Sequence, residues 1–371
     1  MSTYHKVYYK KAQEMEDVED NSIALVITSP PYPMIEMWDE TFSLQNEEIK
    51  AALEDGDGSL AFEKIHKELD KVWKELYRIL ISGGIVCINI GDATRTINKN
   101  FQLFPSHSRI INAFQKLGFQ NLPEILWRKQ TNAPNKFMGS GMLPPGAYVT
   151  LEHEYILIFR KGEKREFKTE ALKENRREST YFWEERNIWF SDVWDFKGIS
   201  QGLNNKEIRK RSAAYPFELA YRLINMFSVR NDTILDPFLG TGTSSLAAMV
   251  SERNSIGYEI DENFKEIIKE RFLQVISFGN EYIENRINFH ISFITERIKE
   301  KGPTKYTNEN FNVSVVTSQE KVLKINRLSS IKEINQEFIL KYKEIEKHPT
   351  SDNLNESKIR IKKSGLNQWI S

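Results

Sequence analysis

Across 371 residues the chain has one cysteine, Cys87. A single thiol excludes an intramolecular disulfide and a cysteine-rich zinc site. Net charge is missing too: 52 Lys and Arg balance 52 Asp and Glu. A nucleic-acid site would therefore be a local basic patch on a neutral molecule. No apolar run is long enough to span a bilayer, and the opening MSTYHKVYYKKAQEMED lacks the apolar stretch of a secretory signal. The expectation is a cytoplasmic protein without a membrane partner. No internal repeat is present. What remains is 40% hydrophobic and 28% charged residues, as in soluble globular proteins. The length suggests one large α/β domain or two domains.

Two stretches carry chemistry. Residues 23–27, Ile-Ala-Leu-Val-Ile, are a continuous apolar run of the kind found in buried parallel strands. Thr28-Ser29-Pro30-Pro31-Tyr32 follows at its C-terminal end. Each proline fixes its own φ, lacks an N–H and drives the preceding residue into an extended conformation. Ser29, Pro30 and Pro31 thus form a stiff lip rich in acceptors and poor in donors, with the Tyr32 ring beside it. Such a lip suits a flat heterocycle bearing an exocyclic amino group. A plain Pro-Pro turn after a core strand is the competing interpretation.

In the second stretch, residues 233–235 read as a short strand and Asp236-Pro237-Phe238-Leu239-Gly240-Thr241-Gly242-Thr243 as a turn. Residues 244–251 start a helix, and residues 255–258 are the next strand, ending at Glu259. The glycines let the backbone approach a ligand at the helix N-terminus, and the acid can accept hydrogen bonds from ribose hydroxyls. There is no Gly-Lys-Ser/Thr ending and no three-glycine dinucleotide fingerprint. A nucleoside cofactor without a pyrophosphate, S-adenosylmethionine, fits better.

Elsewhere, residues 33–59 read as a loop-rich insert. Residues 60–80 read as an amphipathic helix, with Ile65, Leu69, Val72, Trp73, Leu76, Ile79 and Leu80 as its stripe and Ser82-Gly83-Gly84 as its stop. Residues 85–90 are a second strand, and Cys87 within it reads as core rather than nucleophile. Residues 106–120 read as a helix ending at Gly118. Residues 124–127 and 154–160 read as strands flanking a long, basic, polar loop at 128–146, either DNA-contacting or a solvated excursion. After a charged stretch at 164–177, Tyr181, Phe182, Trp183, Trp189, Phe190, Trp194 and Phe196 read mostly as the core of a small subdomain. Residues 216–227 read as a helix.

Taken with their order, these motifs make the sequence resemble the permuted β class of DNA amino-methyltransferases. In that family a Ser/Asp/Asn-Pro-Pro-Tyr motif comes first and a Phe-x-Gly-x-Gly cofactor motif comes late. Here they stand as TSPPY at 28–32 and DPFLGTGT at 236–243, supported by residues 72–92, 151–162, 191–196 and 211–224. The resemblance spans residues 20–275. It implies an α/β fold with a doubly wound, mostly parallel sheet and one antiparallel strand, assigned to the hairpin containing residues 154–160. It also implies a catalytic half at 1–162, a target-recognition region at 163–210 and a cofactor half at 211–277. A charged C-terminal extension at 278–371 follows, with helix-like periodicity over 322–345.

Carried over by residue, Ser29, Pro30, Pro31 and Tyr32 form the catalytic pocket. Tyr32 stacks on an extruded base, while the Ser29 side chain and the Pro30 carbonyl accept hydrogen bonds from its amino group. Asp236, Pro237, Phe238, Gly240 and Gly242 line the cofactor, and Glu259 takes its ribose. Thr243, Ser212 and Pro216 lie at its amino-acid end, although Ala213-Ala214-Tyr215-Pro216 departs from the common His-Pro form. The implied cofactor is S-adenosylmethionine, with no metal. No Pro-Cys nucleophile of a C5-cytosine enzyme is present. Serine before Pro-Pro-Tyr resembles the cytosine-N4 enzymes; Asp or Asn there is typical of adenine-N6 enzymes. The expectation is methylation of cytosine N4 in double-stranded DNA, with adenine N6 as the alternative. An RNA or protein N-methyltransferase and a non-catalytic DNA-binding regulator are the rivals from other classes. The resemblance implies a cognate restriction endonuclease, a nucleoid-associated cytoplasmic location, and a monomer or homodimer. Readers of the DNA sequence are expected in residues 129–147 and 163–210, with 278–371 as a further candidate.

Overall fold

The structure, a computed structural model, describes residues 1–129, 138–197 and 215–345. Ten strands form one sheet: β1 (Ser2–Tyr8), β2 (Ile23–Thr28), β3 (Leu80–Ile90), β4 (Phe119–Arg128), β5 (His153–Lys161), β6 (Val193–Asp195), β7 (Thr233–Asp236), β8 (Asn254–Tyr258), β9 (Asn326–Ile334) and β10 (Glu337–Glu344). Their spatial order is β6-β4-β5-β3-β2-β7-β8-β1-β10-β9. The predicted strand at 23–27 is β2, buried along its whole length and placed between β3 and β7, both parallel to it. β5 is the expected antiparallel strand, pairing with β3 and β4. β10 is a second one, antiparallel to β1.

Alternate residues of β2 enter opposite layers, as a pleated strand requires. Val26 faces α1 (Gly58–Ile79) and α2 (Ser106–Leu117), whereas Leu25 and Ile27 join a core with α3 (Phe217–Phe227), α4 (Thr243–Val250) and α5 (Val275–Lys301). The α1 stripe is buried as its periodicity predicts, and the Asp57 side chain caps its start by accepting from Leu60 N at 2.9 Å. Gly118 ends α2 with φ 94°, a left-handed cap that favours glycine. Every residue of α4 is buried, so this short helix lies inside the molecule with no solvent-facing stripe.

Three expectations change. Residues 33–59 contain short helical segments, Glu36–Trp38, Asp39–Gln45 and Glu47–Glu54, pinned by buried Phe42, Ile49 and Ala52. Ser82-Gly83-Gly84 does not stop the helix; α1 ends at Ile79 and β3 begins at once. Gly83 has φ +79°, and a Cβ there would lie 2.3 Å from Arg165 N, so the glycine serves a close chain crossing. Most of residues 322–345 is a hairpin, Asn326–Ile334 and Glu337–Glu344, rather than a helix. β9 and β10 turn through Asn335 and Gln336, both at positive φ, the requirement of a two-residue type I′ turn. The hairpin covers the edge of β1, which would otherwise expose unpaired backbone groups.

The aromatic stretch is core in part, but of the main domain rather than of a small subdomain, and Trp183 and Phe190 stay exposed. Phe182, Trp189, Trp194 and Phe196 are buried with α3 and α5, and Phe182 stacks on His290 at 3.7 Å. Among the described residues, no helix is long and apolar enough to cross a membrane.

Candidate active site

The C-terminal edge of the parallel strands is where an open doubly wound sheet takes its ligands. β2, β3 and β7 all end there, and antiparallel β5 begins there. Each contributes a polar residue.

Ser29 and Tyr32 sit half-buried just past β2, with Pro30 buried between them. A Cβ on Gly91 would lie 3.0 Å from the Tyr32 ring, so a larger residue after β3 would press on the ring and shift it. The Tyr32 hydroxyl donates to Glu154 Oε2 at 2.8 Å. It accepts from Asn89 Nδ2 at 2.8 Å and from the Ser29 hydroxyl at 3.2 Å. Asn89 Nδ2 also reaches Glu154 Oε2 at 2.6 Å. Glu154 Oε1 pairs with the Lys129 ammonium, which lies 4.9 Å from the Trp127 ring centre. Burial and the neighbouring Glu154 charge push the Tyr32 phenol well above its ordinary pKa, so it stays a donor. Cys87 is buried in β3, and burial pushes its thiol up as well, which keeps it from acting as a nucleophile.

One strand away, Asp236 ends β7. Its carboxylate accepts from Thr28 Oγ1 at 2.7 Å, Phe238 N at 3.0 Å, Ser244 Oγ at 2.6 Å and Tyr215 OH at 3.2 Å. Burial raises its pKa while these donors pull it back down. The Thr28 bond ties the residue before the Ser-Pro-Pro-Tyr lip directly to the first residue of the glycine turn. Gly240 and Gly242 have φ of +55° and +85°. A Cβ at Gly240 would meet nothing within 4 Å, while one at Gly242 would lie 2.9 Å from the Phe272 ring. Gly240 therefore opens onto free space, and Gly242 packs against the protein.

Glu259 follows β8 and closes the turn from the other side. Oε2 accepts from Gly240 N at 2.7 Å and Oε1 from Asp261 N at 2.9 Å. Burial raises its carboxyl to about 7. Pro216 is buried and caps the start of α3, and Thr243 opens α4 and is buried. Ser212 lies outside the described residues, as do Ala213 and Ala214. Free space over Gly240, a helix N-terminus and an acid at the next strand end fit the adenosine of S-adenosylmethionine.

Residues 23–270 match the family model described as DNA methylase, of the N6/N4 type. The chain belongs to the N6/N4 DNA methylase family. It is 55% identical over 348 residues to the Type II methyltransferase M.MthZI of Methanothermobacter thermautotrophicus, covering 93% of this chain and 97% of that one. It is 52% identical over 282 residues to the Type II methyltransferase M.MjaI of Methanocaldococcus jannaschii, covering 73% and 92%. A putative DNA modification methylase from Thermus thermophilus, solved with S-adenosyl-L-methionine, superposes with TM-score 0.55 at 32% identity, covering 73% of this chain and 95% of that one. The cytosine-N4-specific PvuII DNA methyltransferase shares the fold with TM-score 0.52 at 16% identity, covering 75% and 92%. The cofactor of this methylase is S-adenosylmethionine.

Of the residues read from the sequence, the Ser-Pro-Pro-Tyr lip and the glycine turn come together through Thr28 and Asp236. Asn89, Lys129, Glu154 and Tyr215 join the site without having been given a role in it, and Thr28, quoted only as part of the lip motif, gains one. Asn89 is a lone polar side chain near the end of the apolar run at 85–90, a signal that was present. The bonds of Glu154 and Tyr215 depend on chain pairing that no local pattern reveals.

The region assigned to target recognition divides between the two edges of the sheet. Arg165 pairs with Asp232 at 2.6 Å, Asn175 Nδ2 donates to Arg230 O at 2.8 Å, and Glu178 pairs with Arg230 at 2.6 Å. Residues 230–232 precede β7, so this part of the chain runs along the edge opposite the lip. β6 returns to the lip side, pairing Trp194 with Trp127. Residues 198–210 and loop residues 130–137 lie outside the described residues.

Proposed function

We propose that this methylase transfers a methyl group to the exocyclic N4 amino group of a cytosine extruded from duplex DNA at a specific site, in the cytoplasm, protecting that DNA from a cognate restriction endonuclease. The observation that carries the reading is the Thr28–Asp236 hydrogen bond at 2.7 Å. It holds an amino-group pocket and a nucleoside-cofactor turn against each other at one sheet edge. Gly240 and Glu259 would hold S-adenosylmethionine, which when bound would supply an electrophilic sulfonium methyl.

The chain supplies the rest. The lone pair of an exocyclic amino group is delocalised into its ring, which makes it a poor nucleophile. The Ser29 hydroxyl oxygen and the Pro30 carbonyl accept its hydrogens and favour the pyramidal geometry of the attacking nitrogen. The Tyr32 ring stacks on the base and sets its plane. Positioning and fixed dipoles of this kind account for large rate accelerations without a covalent intermediate. Serine in the first position of the motif supports cytosine over adenine. Among the described residues, those on the lip side, 138–152 and 190–197, are the proposed sequence readers.

The test is to incubate the protein with S-adenosylmethionine and unmethylated duplex DNA, digest to nucleosides and identify the products by mass spectrometry. N4-methylcytosine is the expected product. N6-methyladenine would overturn the choice of base, and no methylated nucleoside would overturn the reaction.

A further inference from the structure

We propose that Glu154 is a positioning residue that fixes the direction of a hydrogen-bond relay, Ser29 to Tyr32 to Glu154, so that Ser29 meets its substrate purely as an acceptor. The inference rests on the proposed amino-group chemistry and deepens it.

A hydroxyl can point its hydrogen either way, and Ser29 with a hydrogen aimed at an amino group would repel it. A carboxylate has no such freedom, because it only accepts. Glu154 Oε2 lies 2.8 Å from the Tyr32 hydroxyl, so the phenol must give its single hydrogen to Glu154. The phenol oxygen then has only lone pairs left. They meet donors alone: Asn89 Nδ2 at 2.8 Å, the Ser29 hydroxyl at 3.2 Å and the Gly91 backbone N–H. The one hydrogen of Ser29 is thereby turned away from the substrate, and both of its lone pairs remain for the amino group. Lys129 on Oε1 and Asn89 on Oε2 hold the carboxylate in place. The anchoring charge thus comes from β5 and reaches the lip through a tyrosine, with no direct contact needed.

Four variants test this: Glu154→Gln, Tyr32→Phe, the double of these two, and Glu154→Asp. A glutamine amide can donate to the phenol oxygen, which lets the relay reverse while keeping shape; phenylalanine keeps the stacking ring and removes the relay. Glu154→Gln and Tyr32→Phe are each expected to lower kcat about tenfold, as for one lost hydrogen bond, with KM for DNA and for cofactor little changed. The double is expected to match Tyr32→Phe alone. Glu154→Asp, shorter but still acceptor-only, is expected to retain more activity than the isosteric glutamine. Thermal unfolding and calorimetric binding of S-adenosylmethionine are expected to stay at wild-type values.

Full activity in Glu154→Gln would overturn the relay, as would multiplying losses in the double or a reversed order of Asp and Gln. A Glu154→Gln protein that melts early or no longer binds cofactor would overturn it too, by making the residue architectural. Wild-type protein that methylates no nucleoside defeats the proposed function itself; an active wild type indifferent to Glu154→Gln defeats only the relay.

Discussion

Glu259 shows how a single residue's surroundings set a measurable property. Its carboxylate is the form that can accept two ribose hydroxyls, yet burial raises its pKa to about 7. As pH falls through that value the group gains a proton and loses acceptor capacity. The affinity for S-adenosylmethionine is therefore expected to be flat above about pH 8 and to weaken toward roughly tenfold per pH unit below 6, by proton linkage. Calorimetric titrations from pH 5.5 to 8.5 check this. Glu259→Gln is expected to bind weakly and without that slope, and a wild-type affinity independent of pH would sink the assignment. At this scale the sequence was informative where chemistry is local: Ser29, Tyr32, Gly240 and Glu259 all stand out as motif residues. Glu154 did not, because a lone acid at the start of an apolar strand has no meaning until β5 is laid against β3.

Among the elements, β2, α1, β7, α4 and β8 follow from apolar runs, helical periodicity and glycine punctuation. The C-terminal hairpin does not. Phe338, Leu340 and Tyr342 alternate with more exposed neighbours, a strand period of two, but the turn carries Asn335-Gln336 without glycine. The segment therefore lacks the common hairpin signal. Leu340 is fully buried in the core beside β1. Leu340→Ala is expected to reduce stability by about 2–4 kcal/mol, the usual cost of a core leucine truncation. Denaturant unfolding measures it, and unchanged binding of S-adenosylmethionine by the folded variant is expected, because Leu340 pairs with Thr3 at the far end of β1 from Tyr8 and Glu259. A loss below about 0.5 kcal/mol, typical of a surface site, would show that the hairpin is not packed as part of the sheet.

At the scale of the molecule, zero net charge leaves DNA affinity to local cations, and the two sheet edges hold different ones. Arg128 ends β4 on the lip side, exposed, in loose pairs with Glu152 at 3.4 Å and Asp195 at 3.9 Å. Arg176 lies on the segment running along the opposite edge, against the Phe167 ring. Arg128→Ala is expected to weaken duplex binding several-fold and to reduce the salt dependence by about one counterion. Arg176→Ala is expected to leave both unchanged. Binding isotherms at several salt concentrations separate the two, and equal losses would mean that DNA wraps beyond the lip.

The sequence alone determined the family of this methylase, its cofactor and the layered sheet that carries it. Continuous apolar runs, stripes of helical period, a rigid Pro-Pro lip and a glycine turn followed by an acid are all short-range patterns, each legible within a single stretch of chain. Only the tertiary structure decided which distant polar groups meet at the lip, which half of residues 163–197 shares its edge, and that the chain's last described segment is sheet. Those outcomes depend on strand order and direction. Thr28 meets Asp236, and Tyr32 meets Glu154, because β2 lies beside β7 and β5 runs backwards next to β3. Such pairings bring together residues separated by 208 and 122 positions, a distance over which no local propensity acts.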